Sequence, residues 1–119
     1  MTECIFCRIV KGTAPCTKVY EDKNTLAFLD IDPMTKGHTL VVSKNHFDDI
    51  RDIDESSISS AILTAKKIAR KVLEEGANGV NIMHASGAVA GQSVSHFHLH
   101  VIPRYEKDEI RVIRKRKKK

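Results

Sequence analysis

The segment from His96 to His100 places three histidines at alternate positions, with the apolar Phe97 and Leu99 between them. Residues two apart share one face of a β-strand, so this alternation predicts a strand that presents three imidazoles to one side. Histidine titrates near neutral pH, so such a row suits phosphoryl chemistry or metal binding. The alternative is a row of solvent-facing histidines without chemistry, although ionisable groups that cluster on one face are typical of functional sites.

The spacing limits what the row can bind. At about 3.3 Å per strand residue, neighbouring histidines lie roughly 6–7 Å apart and the outer two about 13 Å apart. One metal ion could bridge an adjacent pair but not readily all three. Upstream, Gly91, Gln92 and Ser93 offer backbone N–H groups and a hydroxyl where the chain enters the strand. Such donors match the oxygens of a phosphate.

Length and charge indicate one domain with an attached tail. The 119 residues suffice for a single core without obligatory disulfides. Residues 111–119 carry seven positive charges and no negative one, so removing them from the net charge of +5 leaves −2 for residues 1–110. We expect a domain over 1–110 and a basic tail over 111–119. The tail is either a solvated terminus or a weak contact for nucleic acid, an acidic partner or a targeting receptor, which in a eukaryote would include nuclear entry.

The sequence predicts a cytoplasmic protein. No apolar run approaches the ~18 residues of a membrane span. The first four residues, Met1 to Cys4, lack the basic and apolar regions of a secretion signal. In a reducing compartment, the three cysteines are expected to be thiols or metal ligands rather than disulfides.

The pattern of apolar residues predicts an α+β domain on a five-stranded antiparallel sheet. Strands are expected over residues 18–21, 25–29, 38–43, 79–83 and 96–103, and short helices over 5–10 and around 46–50. One long helix should begin at Asp54 or Glu55 and end at Glu75, before Gly76. Its predicted buried stripe recurs at helical spacing: Ile58, Ile62, Ala65, Ala69 and Val72. We interpret the basic residues of this long helix as its solvent-exposed face.

The segment Gly91-Gln92-Ser93-Val94-x-His96-x-His98-x-His100 resembles the signature of the histidine triad (HIT) superfamily of nucleotide hydrolases and transferases. Residues 4–10, 26–33 and 36–42 resemble further segments of its Hint-like branch, in order, and the similarity covers about nine-tenths of the chain. The resemblance implies the HIT fold, with one long and one or two short helices. It also implies a homodimer in which the long helix and fourth strand join two sheets into one of ten strands.

The resemblance implies a covalent mechanism at the middle histidine. His98 would attack the α-phosphorus of a nucleoside phosphate derivative, and water would then cleave the nucleotidyl-histidine. His96 and His100 would neutralise phosphate charge and orient His98. Gly91, Gln92 and Ser93 would bind phosphate oxygens, and Ser93 could also assist the leaving group.

The resemblance also assigns the nucleoside contacts. Asp30 would accept hydrogen bonds from the ribose hydroxyls, while Ile5, Phe28 and Ile31 would wall a purine base. Without the resemblance, these three apolar residues would be interpreted as core residues. The implied reaction is cleavage of an adenylate phosphoramidate, without an organic cofactor. Two alternatives stay open: a Fhit-like dinucleoside polyphosphate hydrolase, and a nucleotide-binding interaction module with vestigial catalysis.

The chain departs from the family two residues before Gly87. Many members carry Asn or Gln there, whose amide contacts ribose or phosphate, whereas this chain has Ala85. The adjacent His84 is either a substitute for that amide or a packing residue. His38 is expected to support the site rather than to react.

A second cluster would hold a metal. Cys4-x-x-Cys7 is by itself a weak zinc signal, because a tetrahedral site needs four ligands. Zinc-bearing relatives with this opening imply His46 and His96 as the other two, in a structural site. The alternative is two free thiols and an uncoordinated histidine. Cys16 has no partner in this scheme.

Overall fold

The computed structural model describes residues 4–110, and the predicted basic tail at 111–119 lies outside them. The helices are α1 (Ile5–Lys11) and α2 (Glu55–Glu74), with a 3₁₀ turn at Ala88–Ala90. The strands are β1 (Lys18–Glu21), β2 (Thr25–Leu29), β3 (Thr39–Ser43), β4 (Gly79–Met83) and β5 (His98–Arg104). The predicted α+β class and five-stranded antiparallel sheet are confirmed.

The strands lie in the order β1-β2-β3-β5-β4, and each neighbouring pair is antiparallel. Cross-strand partners share a face of a sheet. Leu40 is the partner of both Phe28 and His100, so these three side chains lie in one row. Val41 and its partner Leu99 lie on the opposite face.

Each face of the sheet is covered by a different helix. The face that carries Val41 packs under α2 in the larger part of the core. The face that carries His100 packs beside α1, through a smaller cluster made of Phe6, Leu26, Phe28, Leu40 and Val42. A site on the α1 face is therefore separated from α2 by the thickness of the sheet.

Helix α2 begins where expected but presents a slightly different face. The carboxylate of Asp54 caps it by accepting the N–H of Ser57 at 2.8 Å. The residues that contact the sheet most closely are Ala61, Ala65, Ile68 and Ala69. The prediction for Ile62 was wrong, because its side chain is 47% exposed at the edge of this face. The alanines let the helix lie close to the sheet, which turns the larger Ile62 outwards.

The prediction of a short helix around residues 46–50 was wrong, because this segment consists of bends and turns. The carboxylate of Asp52 accepts the N–H groups of Asp48 and Asp49, both at 3.0 Å. The carboxylate of Asp49 accepts the N–H of Arg51 at 2.9 Å. Side chains that capture backbone donors in this way compete with helix formation.

Strand β5 begins two residues later than the alternation predicts. The N–H of Phe97 donates to the carbonyl of Phe47 at 2.7 Å, and the N–H of His96 donates to Val94 at 2.9 Å. His96 therefore lies in a bend before the strand and does not follow the alternation of His98 and His100. Within residues 4–110, no helix is long and apolar enough to cross a membrane.

Candidate active site

A cavity of about 250 Å³ opens on the α1 face of the sheet. Its lining includes seven residues that the sequence assigned to catalysis or substrate binding: Ile5, Phe28, Asp30, Ile31, Ser93, His98 and His100. Apolar walls with a few convergent polar groups are the usual form of a small-molecule site. Ile31 is 99% exposed, so it can form only the rim of this cavity.

Three further residues from that prediction do not line the cavity. The amide of Gln92 accepts the N–H of Gly87 at 2.7 Å and donates to the carbonyls of Asp48 and Val94 at 2.7 and 3.0 Å. It therefore braces the loop around the 3₁₀ turn. Gly91 ends that turn with a left-handed backbone, φ 103°. The third, His96, faces the cysteines.

The protonation of His98 follows from its hydrogen bond. Its Nδ1 lies 2.7 Å from the carbonyl oxygen of His96, which can only accept. The proton is therefore on Nδ1, and Nε2 carries a lone pair. Burial lowers the pKa of His98, so the ring is neutral in the neutral pH range. A neutral imidazole with a free Nε2 beside a cavity is a competent nucleophile.

A chain of hydrogen bonds sets the tautomer of His100. The backbone N–H of Met34 donates to Nδ1 of His38 at 3.0 Å, so His38 carries its proton on Nε2. That Nε2 lies 3.0 Å from Nδ1 of His100 and donates to it, which leaves the His100 proton on Nε2. Burial, followed by the neighbouring rings of His98 and His38, lowers the pKa of His100 to about 4. Since the rings of His98 and His100 are 5.1 Å apart, the cavity has a nitrogen lone pair beside an N–H donor.

Asp30 joins this group from the end of β2. One of its carboxylate oxygens accepts the N–H of Asp32 at 2.9 Å, and the other lies 3.5 Å from Nε2 of His38. Asp30, His38 and His100 are close enough to hold a metal ion. However, the metal-facing Nε2 of His38 bears the proton, because Met34 occupies Nδ1. This group is therefore better suited to hydrogen bonding than to metal binding.

The second predicted cluster forms a compact site. The Sγ atoms of Cys4 and Cys7 lie 3.2–3.6 Å from Nδ1 of His46 and of His96. Bonds of about 2.3 Å to sulfur and 2.0–2.1 Å to nitrogen give N···S edges of about 3.6 Å in a tetrahedron. The four ligand atoms are thus close to the arrangement that a single zinc ion requires.

The outer nitrogens of both histidines support the same conclusion. Nε2 of His46 lies 2.9 Å from a carboxylate oxygen of Asp48, and Nε2 of His96 lies 2.7 Å from the carbonyl of Ser43. These acceptors hold the protons on Nε2 and leave both Nδ1 lone pairs directed at the thiols. Metal-binding histidines commonly have such partners. The donor set fits zinc.

His84 is held by other contacts. Its ring stacks on Phe97 with centroids 4.5 Å apart, and its nitrogens lie 3.0 Å from the His98 carbonyl and 2.5 Å from the Ser86 hydroxyl. Phe97 belongs to the core under α2, whereas the cavity lies on the α1 face. His84 therefore packs structurally and does not replace the amide missing at Ala85.

Sequence reasoning missed several apolar residues of the cavity, namely Phe6, Ile9, Leu40 and Val94. Ile9 stands four residues after Ile5, and this helical spacing could have placed both on one face. Leu40 could not have been found in this way, because its place beside His100 depends on the pairing of β3 with β5.

Comparison with known proteins identifies the family of the chain. The family model described as the HIT domain matches residues 11–107, a range that does not include Cys4 and Cys7. An uncharacterised HIT-like protein of Methanocaldococcus jannaschii is 47% identical over 105 residues, which span 88% of this chain and 81% of that protein. An adenosine 5′-monophosphoramidase of Schizosaccharomyces pombe is 40% identical, over 85% of this chain and 74% of its own length.

A solved structure shows a related protein with metal. The zinc-bound histidine triad family protein of Mycobacterium smegmatis superposes with a TM-score of 0.88 at 42% identity. The match covers 94% of this chain and 82% of that chain.

Proposed function

The chain belongs to the HIT domain family, in its Hint-like branch, and from this we propose that it hydrolyses purine nucleoside phosphoramidates at the P–N bond of an adenylate. The observation that carries the proposal is the tautomer of His98. Its Nδ1–H is held by the His96 carbonyl, which leaves Nε2 as the nucleophilic atom at the cavity. The adenosine 5′-monophosphoramidase relative supports this choice of substrate.

The cavity residues suggest how the substrate lies. The purine would pack against Ile5 and Phe28, with Ile31 at the rim. The half-buried carboxylate of Asp30 would accept the ribose hydroxyls. The α-phosphate would then lie beside His98 and accept hydrogen bonds from the Ser93 hydroxyl and from Nε2–H of His100.

The reaction needs two displacements. Nε2 of His98 forms a bond to phosphorus while the P–N bond breaks, and the leaving amine takes a proton, for which the Ser93 hydroxyl is the cavity donor. Water then attacks phosphorus, the phosphorus–histidine bond breaks, and the nucleoside monophosphate is released. The proton that water gives up restores the donor, and His98 returns to its neutral form. His100 stabilises the phosphate oxygens in both steps.

Turnover of adenosine 5′-phosphoramidate by the wild type and by His98→Ala tests the proposal. The variant should lose turnover, by about 10³-fold or more, and should still bind adenosine 5′-monophosphate. Unchanged turnover would remove His98 from this role. A protein that cleaves diadenosine polyphosphate and leaves the phosphoramidate untouched would overturn the proposed substrate, and binding without turnover in the wild type would indicate an interaction module.

We also propose that Cys4, Cys7, His46 and His96 hold a structural zinc ion. The donor geometry and the zinc-bound relative from Mycobacterium smegmatis support this. When bound, the metal would attach the start of α1 to the loop after β3 and to the bend before β5. Because thiolate ligands require a reducing environment, we propose a cytoplasmic location. Metal analysis should find one zinc per chain in the wild type and none in Cys7→Ser, while Cys16→Ser should keep its zinc.

We further propose a homodimer with a ten-stranded sheet. Strand β4 lies at an edge of the sheet, where its outer backbone groups can pair with a second copy of the same strand. Ile82 on this strand is 39% exposed, and Ile62 on α2 is 47% exposed. Burial of these side chains between two copies would favour association.

A further inference from the structure

Helix α1 is shared by the two sites described above. Cys4 at its N-cap and Cys7 in its first turn belong to the metal cluster. Ile5, Phe6 and Ile9, from the same two turns, line the cavity. Ligands at either site therefore act on a single helix of seven residues.

The ring of Phe6 contacts groups from both sites. It is 6% exposed and meets His96 edge-to-face, with centroids 5.8 Å apart and planes at 73°. It meets His98 at 5.0 Å and 87°, and Phe28 at 5.6 Å and 71°. A metal ligand, the nucleophile and a wall of the cavity thus pack against one side chain. A displacement of α1 would therefore move the surfaces of both sites together.

A helix this short does not persist without tertiary support. Isolated helices of fewer than about 12 residues are marginal in water, so α1 depends on the contacts that hold it against the sheet. The thiol–imidazole contacts connect it to His46 in the loop after β3 and to His96 before β5. Four coordinate bonds in place of these contacts would hold the helix far more firmly.

We propose that the metal site and the nucleotide cavity are thermodynamically linked through α1, so that zinc at the cysteine–histidine cluster increases nucleotide affinity and nucleotide increases zinc affinity. The ordering of α1 costs conformational entropy, and the ligand that binds first leaves less of that cost for the second. The linkage is reciprocal by necessity. This inference rests on the proposed function, since it takes the cavity as a nucleotide site.

The test is the affinity for adenosine 5′-monophosphate, measured by calorimetry under reducing conditions. One sample carries one zinc per chain, and the other has been stripped with a chelator that is then removed. We expect affinity to be about tenfold weaker without zinc, within the usual range of coupling between sites. Zinc affinity, measured by competition with a chromophoric chelator, should rise by the same factor when the nucleotide is saturating. Equal nucleotide affinity in both samples overturns the linkage alone, whereas failure of both samples to bind overturns the proposed function as well.

Two cysteine variants provide a matched pair. Cys7→Ser should bind the nucleotide with the affinity of the zinc-free wild type, whether or not zinc is added. Cys16→Ser changes an exposed thiol that lines the cavity but lies outside the metal cluster, so its readout is the ratio of nucleotide affinities with and without zinc, which should equal that of the wild type. Loss of the dependence on zinc in Cys16→Ser, or its persistence in Cys7→Ser, would contradict the proposal.

Phe6→Leu tests the path between the sites. It shortens the side chain that contacts both, so the coupling factor should fall towards one while zinc still binds. Hydrogen exchange provides a readout that needs no nucleotide: zinc should slow exchange of the amides of residues 5–11 in the wild type. Unchanged coupling in Phe6→Leu, or exchange in α1 that is insensitive to zinc, would overturn the assigned path.

Discussion

At the scale of single residues, the site depends on where protons lie on three imidazoles. Two of the tautomers are set by a backbone group: the Met34 N–H for His38, and the His96 carbonyl for His98. His100 then follows from His38. Because the folded protein fixes these proton positions in advance, no group has to reorient during the reaction.

His38→Phe should lower the catalytic rate without preventing nucleotide binding. The change removes the donor to His100, so that His100 can also adopt the tautomer with its proton on Nδ1. Loss of one hydrogen bond, worth about 1.5 kcal/mol, corresponds to about tenfold in kcat. His38→Gln keeps an acceptor and a donor and should restore part of the rate. Wild-type kcat in His38→Phe would show that this contact does not matter for turnover.

The rate should be insensitive to pH where a free histidine titrates. Burial lowers the pKa of His98, and burial together with neighbouring rings lowers that of His100 to about 4. Because a lowered pKa keeps the ring neutral to a more acidic pH, kcat/KM should be level through about 6.5 and fall only as the pH approaches 4. An enzyme-free control corrects for acid hydrolysis of the substrate. A decline in kcat/KM centred near pH 6.5 would contradict the conclusion that both rings are buried and neutral.

At the scale of elements, the turn between β1 and β2 is organised by one carboxylate. Asp22 accepts the N–H groups of Asn24 and Thr25 at 2.9 and 2.8 Å and the hydroxyl of Tyr20 at 3.0 Å. Burial alone would raise the pKa of Asp22, but these hydrogen bonds outweigh it and lower the pKa to about 2. This turn joins the two strands of the hairpin. Asp30 directly follows the second of them, β2, so the turn contributes to its position.

Asp22→Ala should lower the free energy of unfolding by about 2 kcal/mol, because several donors, including those of the buried Thr25, lose their acceptor. The folded-state pKa of Asp22 lies below its unfolded value of about 4, so its contribution is fully present above pH 4 and is lost as the pH falls towards 2. Urea unfolding at pH 7 and pH 3 measures both effects. The exposed Glu106→Gln is the control and should change stability little. If Asp22→Ala lowers the free energy of unfolding as much at pH 3 as at pH 7, the result contradicts the pKa assigned to Asp22.

At the scale of the whole molecule, the strand order decides which surfaces remain available. Strand β5 lies between β3 and β4, so its backbone is paired on both sides while β4 has one free edge. The sheet separates the face beside α1, which carries the cavity, from the face under α2. A second copy joined at β4 would extend the sheet at the edge opposite β1.

Ile82→Lys should convert the proposed dimer to a monomer. A charge at the free edge opposes pairing with the same residue of a second copy. Light scattering during gel filtration should then give the mass of one chain instead of two. Lys23→Glu, in the turn at the opposite edge of the sheet, should leave the mass unchanged. A monomeric wild type, or an unaltered mass in Ile82→Lys, would exclude this interface.

Much of the fold follows from local patterns. The bounds of β1, β2 and β4 agree with the prediction, and α2 ends within a residue of it. The failures have two different causes. The helix predicted at 46–50 was lost to carboxylates that capture backbone N–H groups, and Ile62 was displaced by the close approach of α2 to the sheet. Neither effect is visible in hydrophobic periodicity.

The sequence by itself determined the α+β class and the family resemblance, and it singled out the three alternating histidines as candidate site residues. The resemblance implied that His96 would serve a metal as well as the triad, and only the tertiary structure showed which groups each histidine faces. His98 and His100 line the cavity, whereas His96 lies before the strand and faces thiols 89 and 92 residues away in the chain. The physical reason is that alternation describes a strand only where the backbone is paired. That pairing depends on β3 and on Phe47, which folding brings from elsewhere in the chain.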